Sequence, residues 1–192
     1  LQNLKNLLYH KYSSRPPDLI ITSDDHAFQF VLAYREELFP GIPVVFCGVN
    51  YLDEQQLVKY PSITGVVEQI AIGETLELAM KLRPEAETAY VVVDKTASGR
   101  SNRQLMAEAM PDFEDRLAFR FLEDYTMEAL RDRLANLPAD SFAVLFTFTS
   151  DASGNRYTHE ESTRLISESS TVPVFSFWDV NLGHGIVGGN LI

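Results

Sequence analysis

Apolar and polar positions alternate along the chain in a regular order. Short apolar runs that end in small polar residues predict buried strands, and the segments between them carry apolar residues at helical spacing. The predicted strands cover residues 18–23, 42–47, 89–93, 117–121, 142–148 and 172–177. The predicted helices cover residues 1–12, 73–82, 99–110 and 126–137, with two more that begin at Asp24 or Asp25 and at Thr158. This order predicts parallel strands joined by right-handed crossovers, and therefore an α/β fold with helices on both faces of its sheets.

The strands are unevenly distributed, which predicts two lobes of different completeness. Four strands follow residue 88 and are enough for one small parallel sheet, whereas the part before them has two clear strands and an extended stretch at 63–68. Two strands do not form a sheet that is stable alone. We therefore predict a partial first lobe at 1–68, a second lobe at 69–178 and a segment at 179–192 that returns toward the first lobe. The first lobe is expected to need further chain before Leu1 and after Ile192.

Two sequence patterns mark helix starts. Thr158 and Glu161 have the spacing of a capping box, in which each side chain bonds the backbone N–H of the other residue. Asp53 and Gln56 have the same spacing and predict a further short helix.

The last stretch, residues 173–192, begins as a buried strand and continues into a run rich in glycine. Residues 183–188 match the pattern G-x-G-x-x-G. A dinucleotide site also needs a helix, a second strand and a ribose-binding acid after that pattern, so the match is not supported by its context. The glycines instead predict a bend of the backbone beside a ligand-binding cleft.

Composition and charge restrict the partners. The formal net charge of −11 argues against a nucleic-acid partner, because such binding depends on clustered Lys and Arg. The single Cys47 excludes an internal disulfide framework and a cysteine-based structural zinc site. No apolar run approaches the ~18 residues that cross a bilayer, and the first residues lack a signal-peptide pattern. If the parent protein is exported or tethered to a membrane, we expect this chain to be one piece of it.

Ligands of open parallel sheets bind at the carboxyl ends of the strands, where loops and helix N-termini converge. In this sequence those ends are small and able to form hydrogen bonds, with backbone N–H groups and hydroxyls that suit a carboxylate or an amide. The alternative is that each residue is a helix cap or a turn, and that the aromatic residues near strand ends only seal the core. The candidate ligand-binding residues are Ser23, Asp24, Gly48, Thr96, Ser98, Thr149, Ser150, Trp178 and Asp179.

The patterns that would indicate a metal or a catalytic site are weak. His184 lies near Asp179, and His26 follows two aspartates, but neither has the i, i+4 spacing of a helical zinc site. A hydrogen-bonded or ligand-contacting histidine is the preferred interpretation. Cys47 is expected to pack as a small apolar group, and residues 96–101 lack the G-K-[ST] of a nucleotide-binding loop. We therefore predict no catalytic residue, no metal and no cofactor.

Residues 18–50, 63–68 and 173–192 together resemble the substrate-binding protein family of ABC transporters, which has the type I periplasmic-binding-protein fold. More narrowly, they are similar to the version that serves as the extracytoplasmic sensor of two-component histidine kinases. The resemblance implies two lobes that close on a small molecule, with crossing segments at 64–68 and around 179–185. It also implies that the pocket lies at the candidate positions named above. The chain departs from the family pattern in lacking the first strand and the final return into the first lobe.

The resemblance implies a function in ligand sensing. A small metabolite, such as an amino acid or another carboxylate, would favour a closed state that a membrane-linked kinase reads. The domain itself would have no enzyme activity, and it would lie in the periplasm or elsewhere outside the cytoplasm as part of a membrane-anchored receptor. Two alternatives stay open: a transport protein that delivers its ligand to a permease, and an enzyme on a flavodoxin-like sheet. Exposed strand edges could also pair two copies as a homodimer.

Overall fold

The structure is a computed structural model, and it describes residues 1–50, 52 and 57–191. The chain divides into two compact units: unit 1, Leu1–Gln69, and unit 2, Ile70–Ile192. Each unit has its own sheet of parallel strands. The α/β class predicted from the alternation of apolar runs and amphipathic segments is therefore confirmed.

Unit 1 is built on three parallel strands. Its helices are α1 (Gln2–Tyr12) and α2 (Asp24–Leu38), and its strands are β1 (Ile20–Ser23), β2 (Val44–Val49) and β3 (Ile63–Val67). The strand order β1-β2-β3 leaves β1 and β3 at the edges. The stretch at 63–68, predicted as extended, pairs with β2 as a third strand, so the count of two clear strands in this part is too low. The crossing segment implied at 64–68 stays a prediction.

The core of unit 1 lies between α2 and the sheet. The rings of Phe28 on α2 and Phe46 on β2 pack with their centroids 4.6 Å apart. Gly65 on β3 leaves space for Phe46, because a Cβ at position 65 would overlap both the backbone and the ring of Phe46. This close approach explains why a glycine interrupts the apolar pattern of β3, and why the pattern predicts that strand only weakly.

Unit 2 contains four parallel strands in the order β5-β4-β6-β7. The strands are β4 (Thr88–Val92), β5 (Ala118–Leu122), β6 (Ser141–Leu145) and β7 (Val174–Ser176). The helices are α3 (Ile72–Leu82), α4 (Ala97–Ala109), α5 (Met127–Leu134) and α6 (His159–Ser169), with short 3-10 helices at Met110–Asp112 and Asp179–Asn181. Each strand predicted in this part of the sequence is present, with bounds that differ by a few residues.

Alternate residues of the central strands point to opposite faces of the unit 2 sheet. Val91 and Val144 belong to one buried cluster with α3 and α4, whereas Val92 and Leu145 belong to a second cluster with α5 and α6. Because side chains alternate along a strand, a strand that is covered on both faces is apolar at every position. This is why the sequence shows continuous apolar runs here instead of an alternating pattern.

Residues 179–192 are grouped with unit 2. Val187 N donates to Val174 O at 2.8 Å and Ser176 N donates to Gly188 O at 3.0 Å, so this tail runs parallel beside β7. Gly189 permits the approach, because a Cβ there would overlap the carbonyl oxygen of Ser176. The return toward the first lobe predicted for residues 179–192 stays a prediction.

The helix starts agree with the sequence patterns only in part. Thr158 and Glu161 form the predicted capping box: Glu161 N donates to Thr158 Oγ1 at 3.1 Å, and Thr158 N donates to Glu161 Oε2 at 2.9 Å. Helix α4 begins at Ala97, two residues before the predicted Gly99, because Thr96 is its cap and accepts a hydrogen bond from Gly99 N at 3.1 Å.

Helix α2 begins differently from the prediction. Its N-cap is Ser23, whose side chain makes no capping hydrogen bond, and Asp24 and Asp25 lie in the first turn. Asp24 has a left-handed φ of +74°, and its Oδ1 accepts a hydrogen bond from Asp25 N at 2.6 Å. The capping box predicted at Asp53 and Gln56 lies outside the described residues. None of the helices that the structure describes is long and apolar enough to span a membrane.

Candidate ligand-binding site

The carboxyl ends of β4, β6 and β7 lie at one edge of the unit 2 sheet, because these strands are parallel and β6 pairs with both of the others. Parallel pairing therefore brings the loops after these strands to the same edge, as the order of strands in the sequence predicts. Their role in ligand binding stays a prediction. The candidate residues on these loops are Thr96, Ser98, Thr149, Ser150, Trp178 and Asp179.

Asp94 joins two of these loops. It is buried at 3% exposure and accepts hydrogen bonds from both candidate threonines. Its Oδ1 accepts from Thr96 N at 3.0 Å and from Thr96 Oγ1 at 2.5 Å. Its Oδ2 accepts from Thr149 N at 2.7 Å and from Thr149 Oγ1 at 3.1 Å. Gly99 makes room for this carboxylate, because a Cβ there would overlap Asp94. The two half-buried threonines are thus held in a fixed position relative to each other.

Asp151 organises the next part of the same edge. Its Oδ1 accepts from the backbone N–H groups of Ser153 and Asn155, both at 2.9 Å, and its Oδ2 accepts from Met127 N at 3.2 Å and the Tyr157 hydroxyl at 3.1 Å. Burial alone raises the pKa of this carboxyl, but the donors from Met127, Asn155 and Tyr157 outweigh it and lower the pKa. Burial, followed by the hydrogen bond to Asp151, raises the pKa of Tyr157. Asp151 therefore ties the loop after β6 to the start of α5.

Trp178 has a packed part and an accessible part. Its ring lies edge-on to Phe146 and Phe177, with centroids 6.2 Å and 6.0 Å away, and the residue is half-buried. Phe148, which also lies just beyond a strand, is buried and seals the core. Trp178 can therefore offer an aromatic surface at this edge, whereas Phe148 cannot.

The other candidates of unit 2 differ in exposure. Ser98 lies in the first turn of α4 and is half-buried. Ser150, also half-buried, forms an isolated antiparallel bridge with Arg156. Asp179 is exposed and begins the second 3-10 helix. All three are within reach of solvent at least in part.

The candidates of unit 1 lie together at the carboxyl edge of their own sheet. Ser23 ends β1 and pairs in register with Cys47, so Gly48 lies one residue further along β2. A Cβ at Gly48 would be 3.5 Å from Asp24 N. The predicted strand at 42–47 ends before Gly48, but Gly48 lies in β2, where its φ of +64° coincides with a register shift that keeps Val49 in the strand.

Buried polar groups lie beside that edge of unit 1. Asn50 Nδ2 donates to Asp25 Oδ2 at 2.7 Å, and both residues are buried. Asn50 Oδ1 and Thr22 Oγ1 are buried without a hydrogen-bond partner. Cys47 is exposed, because it points to the open face of β2, so the prediction that it packs as a small apolar group is wrong. Its Sγ donates to Thr22 O at 3.7 Å.

A separate apolar cavity of about 470 Å³ lies between α1, β1 and α2 in unit 1. Leucine, isoleucine and phenylalanine side chains of these elements form most of its wall, together with Thr22 and His26. The candidate residues Ser23, Asp24 and Gly48 do not line it, so the cavity is distinct from the predicted ligand-binding positions.

The histidines considered for a metal site belong to different units: His26 to unit 1 and His184 to the tail of unit 2. In the part of the chain that the structure describes, no group of three or more His, Cys, Asp or Glu residues is placed to hold a metal ion.

Solved structures of similar fold align with nearly the whole chain. An ABC domain in complex with L-Trp from Streptococcus pneumoniae has a TM-score of 0.63 at 12% identity, with 98% of this chain and 62% of that chain covered. A conserved domain protein from Vibrio cholerae has a TM-score of 0.67 at 16% identity, with 97% and 62% covered. A ligand-free, open substrate-binding protein with adhesive properties from Clostridium difficile has a TM-score of 0.60 at 16% identity, with 97% and 63% covered. The chain has the type I periplasmic-binding-protein-like fold.

At these identities the likeness shows the type I fold alone, and the chain spans about 62% of the length of the first two of these structures. No protein-family model matches the sequence, and no curated protein matches it. The type I fold accounts for the parallel order of strands in each unit.

Two aspartates at the unit 2 edge of this type I fold are absent from the candidate residues. Sequence reasoning selects Thr96 and Thr149, whereas the structure shows that Asp94 and Asp151 position the loops around them. The sequence signal that could identify these two residues is an aspartate that follows a buried strand within a few residues and comes before small polar residues. Such an aspartate is well placed to accept hydrogen bonds from the N–H groups of the loop.

Proposed function

We propose that this chain is the ligand-binding part of an extracytoplasmic receptor and that a small molecule binds at the carboxyl edge of the unit 2 sheet. The observation that carries the proposal is the Asp94 network, which fixes the partly accessible Thr96 and Thr149. A site whose polar groups are held in place before binding loses less entropy when the ligand arrives. The half-buried Trp178 adds an aromatic surface at the same edge.

The solved neighbours support a binding role. One is a complex with L-Trp, and another is an extracellular ligand-binding receptor from Verminephrobacter eiseniae with a TM-score of 0.56 at 13% identity, with 90% of this chain and 48% of that chain covered. We accordingly propose an amino acid or a related small metabolite as the ligand of this chain. We also propose that the domain binds its ligand without transforming it.

The proposed setting is the sensor of a two-component histidine kinase, attached to a membrane through other parts of the protein. Ligand binding would shift the receptor between two states that the kinase reads. Pairing of two copies through an open strand edge such as β1 is part of the same proposal. The full-length protein in lipid vesicles should then change its rate of autophosphorylation when the ligand is added.

A transport protein is the second candidate, because two of the solved neighbours are an ABC domain and a substrate-binding protein. In that case the ligand would stimulate ATP hydrolysis by a partner permease complex, and no kinase activity would accompany the chain. The two settings share the same binding site, so this choice does not affect the binding test below.

A thermal-shift screen of amino acids, small organic acids and purines tests the binding proposal. A ligand that binds only the folded state raises the free energy of unfolding, by about 2.7 kcal/mol at a ligand concentration of 100 Kd. The melting temperature rises as a result. We expect at least one compound to do so. The absence of any shift for the folded protein would contradict the proposed function.

Trp178→Ala tests whether the site lies at this edge. The variant should lose the shift produced by the ligand, because the accessible part of the indole is gone. Its own melting temperature should also fall, since the ring packs on Phe146 and Phe177. The shift must therefore be compared with that variant's unliganded state. Val180→Ala, at a residue with 44% exposure two positions along, is the matched control and should keep the shift. An unchanged shift in Trp178→Ala would remove Trp178 from the site.

A further inference from the structure

The geometry points to a ligand that donates hydrogen bonds to Thr96 and Thr149 through a protonated amine, and that does not place a carboxylate there. This inference rests on the proposed function and specifies the chemistry of its ligand. The reason is that the hydroxyl protons of Thr96 and Thr149 already form hydrogen bonds to Asp94.

Each threonine hydroxyl has one proton to donate, and a carboxylate can only accept. The 3.1 Å hydrogen bond between Thr149 Oγ1 and Asp94 Oδ2 therefore uses the proton of Thr149. The 2.5 Å hydrogen bond between Thr96 Oγ1 and Asp94 Oδ1 likewise uses the proton of Thr96. Both hydroxyls are left with lone pairs only, and Thr96 has already used one of these to accept from Gly99 N.

The backbone N–H groups of the two threonines are used in the same way. Thr96 N and Thr149 N both donate to the Asp94 carboxylate, at 3.0 Å and 2.7 Å. Helix N-termini attract anions through free N–H groups and the helix dipole. At the start of α4 the protein supplies its own anion, Asp94, so the attraction for a second anion is reduced.

Two cationic side chains near this loop are also engaged by the protein. Lys95 Nζ lies 2.6 Å from Asp124 Oδ2. Arg100 Nη1 donates to the carbonyl oxygen of Lys95 at 2.6 Å. The positive charges beside Thr96 are therefore partly neutralised or turned toward the loop itself.

A ligand carboxylate and a ligand ammonium would meet this edge differently. A carboxylate at Thr149 could be bound only if the hydroxyl proton turned away from Asp94, which would leave two negative groups on either side of one oxygen atom. An ammonium group would find acceptor lone pairs on both threonines and the negative charge of Asp94 behind them, which is the arrangement of a charge-assisted hydrogen bond. The sequence predicts hydroxyls and N–H groups that suit a carboxylate, but at these two residues those donors are bound to Asp94.

The test uses the whole chain and sets of three related probes. The first set is L-tryptophan, tryptamine, which lacks the carboxylate, and indole-3-propionate, which lacks the amine. The same amine and acid are prepared for every other standard amino acid that raises the melting temperature. Isothermal titration calorimetry should show that the amine binds at least about tenfold more tightly than the acid. A hydrogen bond to a charged group typically changes the Kd by about that factor or more.

The possible outcomes separate the two proposals. An acid that binds as tightly as the matching amine, or more tightly, overturns this inference and leaves the proposed function standing. A panel in which neither the amino acids nor the derived amines and acids bind overturns this inference. It overturns the proposed function as well if no organic acid or purine raises the melting temperature.

Two substitutions at Thr149 locate the acceptor. Thr149→Val removes the hydroxyl oxygen while keeping the size and the backbone N–H that binds Asp94, and it should weaken amine binding about tenfold or more. Thr149→Ser keeps the hydroxyl and should bind the amine nearly as well as the unchanged protein. Equal binding by Thr149→Val and Thr149→Ser would contradict the inference. If Thr149→Val fails to fold, the comparison of amine with acid on the unchanged protein still tests the inference.

Discussion

Unit 1 and unit 2 both contain a sheet of parallel strands. They differ in how completely their apolar side chains are buried and their buried polar atoms are hydrogen-bonded. Unit 2 places two buried aspartates at its carboxyl edge, and each accepts several hydrogen bonds. Unit 1, although much shorter, contains most of the buried side-chain atoms that have no hydrogen-bond partner among the described residues. These atoms belong to Thr22, Arg35 and Asn50 in unit 1 and to Asn102 and Ser167 in unit 2.

The apolar surface follows the same division. Ile21, on the edge strand β1, is 70% exposed, and Val66 on the opposite edge strand β3 is 71% exposed. The fully buried large side chains lie mostly in unit 2, on both faces of its sheet. Unit 2 therefore encloses its own core, whereas unit 1 buries less apolar surface when it folds alone.

The largest expected effect comes from separating the units. Residues 70–191 alone should fold and unfold cooperatively, because their sheet is covered on both faces. Residues 1–69 alone should be largely unfolded, since a domain of about 60 residues buries only about 60% of the surface of its unfolded chain. Circular dichroism, the dispersion of amide NMR signals and urea unfolding measure both. A cooperative transition in the isolated unit 1 would contradict the comparison.

A smaller effect should come from Asp151 and should depend on pH. Its pKa is lower in the folded state, so folding is favoured by this group above the unfolded value of about 3.9, and that stabilisation is lost as the pH falls through the folded value. Asp151→Asn should lower the free energy of unfolding by about 1–3 kcal/mol at neutral pH, because a charged acceptor of several donors is removed.

Urea unfolding between neutral pH and about pH 2 checks this prediction. Below the unfolded value of about 3.9, the curve of stability against pH should be flatter for Asp151→Asn than for the unchanged protein. Asp179→Asn is the matched control, because Asp179 is exposed, and it should change the stability by less than about 0.5 kcal/mol. Equal slopes for the unchanged protein and Asp151→Asn would show that Asp151 does not contribute.

The smallest expected difference compares one helix cap from each unit. Thr158→Ala should destabilise α6 by about 1 kcal/mol, because it breaks a capping box. Ser23→Ala should cost only a few tenths of that, because the Ser23 side chain makes no capping hydrogen bond to α2. Hydrogen exchange of the amides in the two helices measures both effects. A cost at Ser23 equal to that at Thr158 would indicate a role for Ser23 that this structure does not contain.

The fold of unit 2 could be predicted from the sequence because its elements follow local rules. Continuous apolar runs such as 142–148 predict strands covered on both faces, and the spacing of Thr158 and Glu161 predicts a helix start. The sequence predicts only an extended stretch at 63–68 and no clear strand, since Gly65 weakens the apolar pattern of β3. The reason for that glycine is the ring of Phe46, which is distant in sequence and therefore invisible to a local rule.

The shared edge of the candidate residues in unit 2 could be predicted from the sequence, but their hydrogen bonds could not. Parallel order alone brings Thr96 and Thr149 to the same edge. The direction of their hydroxyl protons depends on Asp94, which reaches both loops only in three dimensions. The residue types therefore predicted a polar edge, and only the hydrogen-bond partners show that the hydroxyl protons of both threonines are used by Asp94.

The tail beside β7 limits how far the protein can be shortened. Gly188 accepts from the backbone of β7, and Asn190 N donates to Thr75 Oγ1 at 3.0 Å. A version cut before Val187 would lose the hydrogen bonds from Val187 N to Val174 O and from Ser176 N to Gly188 O. The outer backbone of β7 would then be exposed and could pair with other chains. Attempts to crystallise a trimmed fragment should therefore retain residues through Asn190 to avoid aggregation.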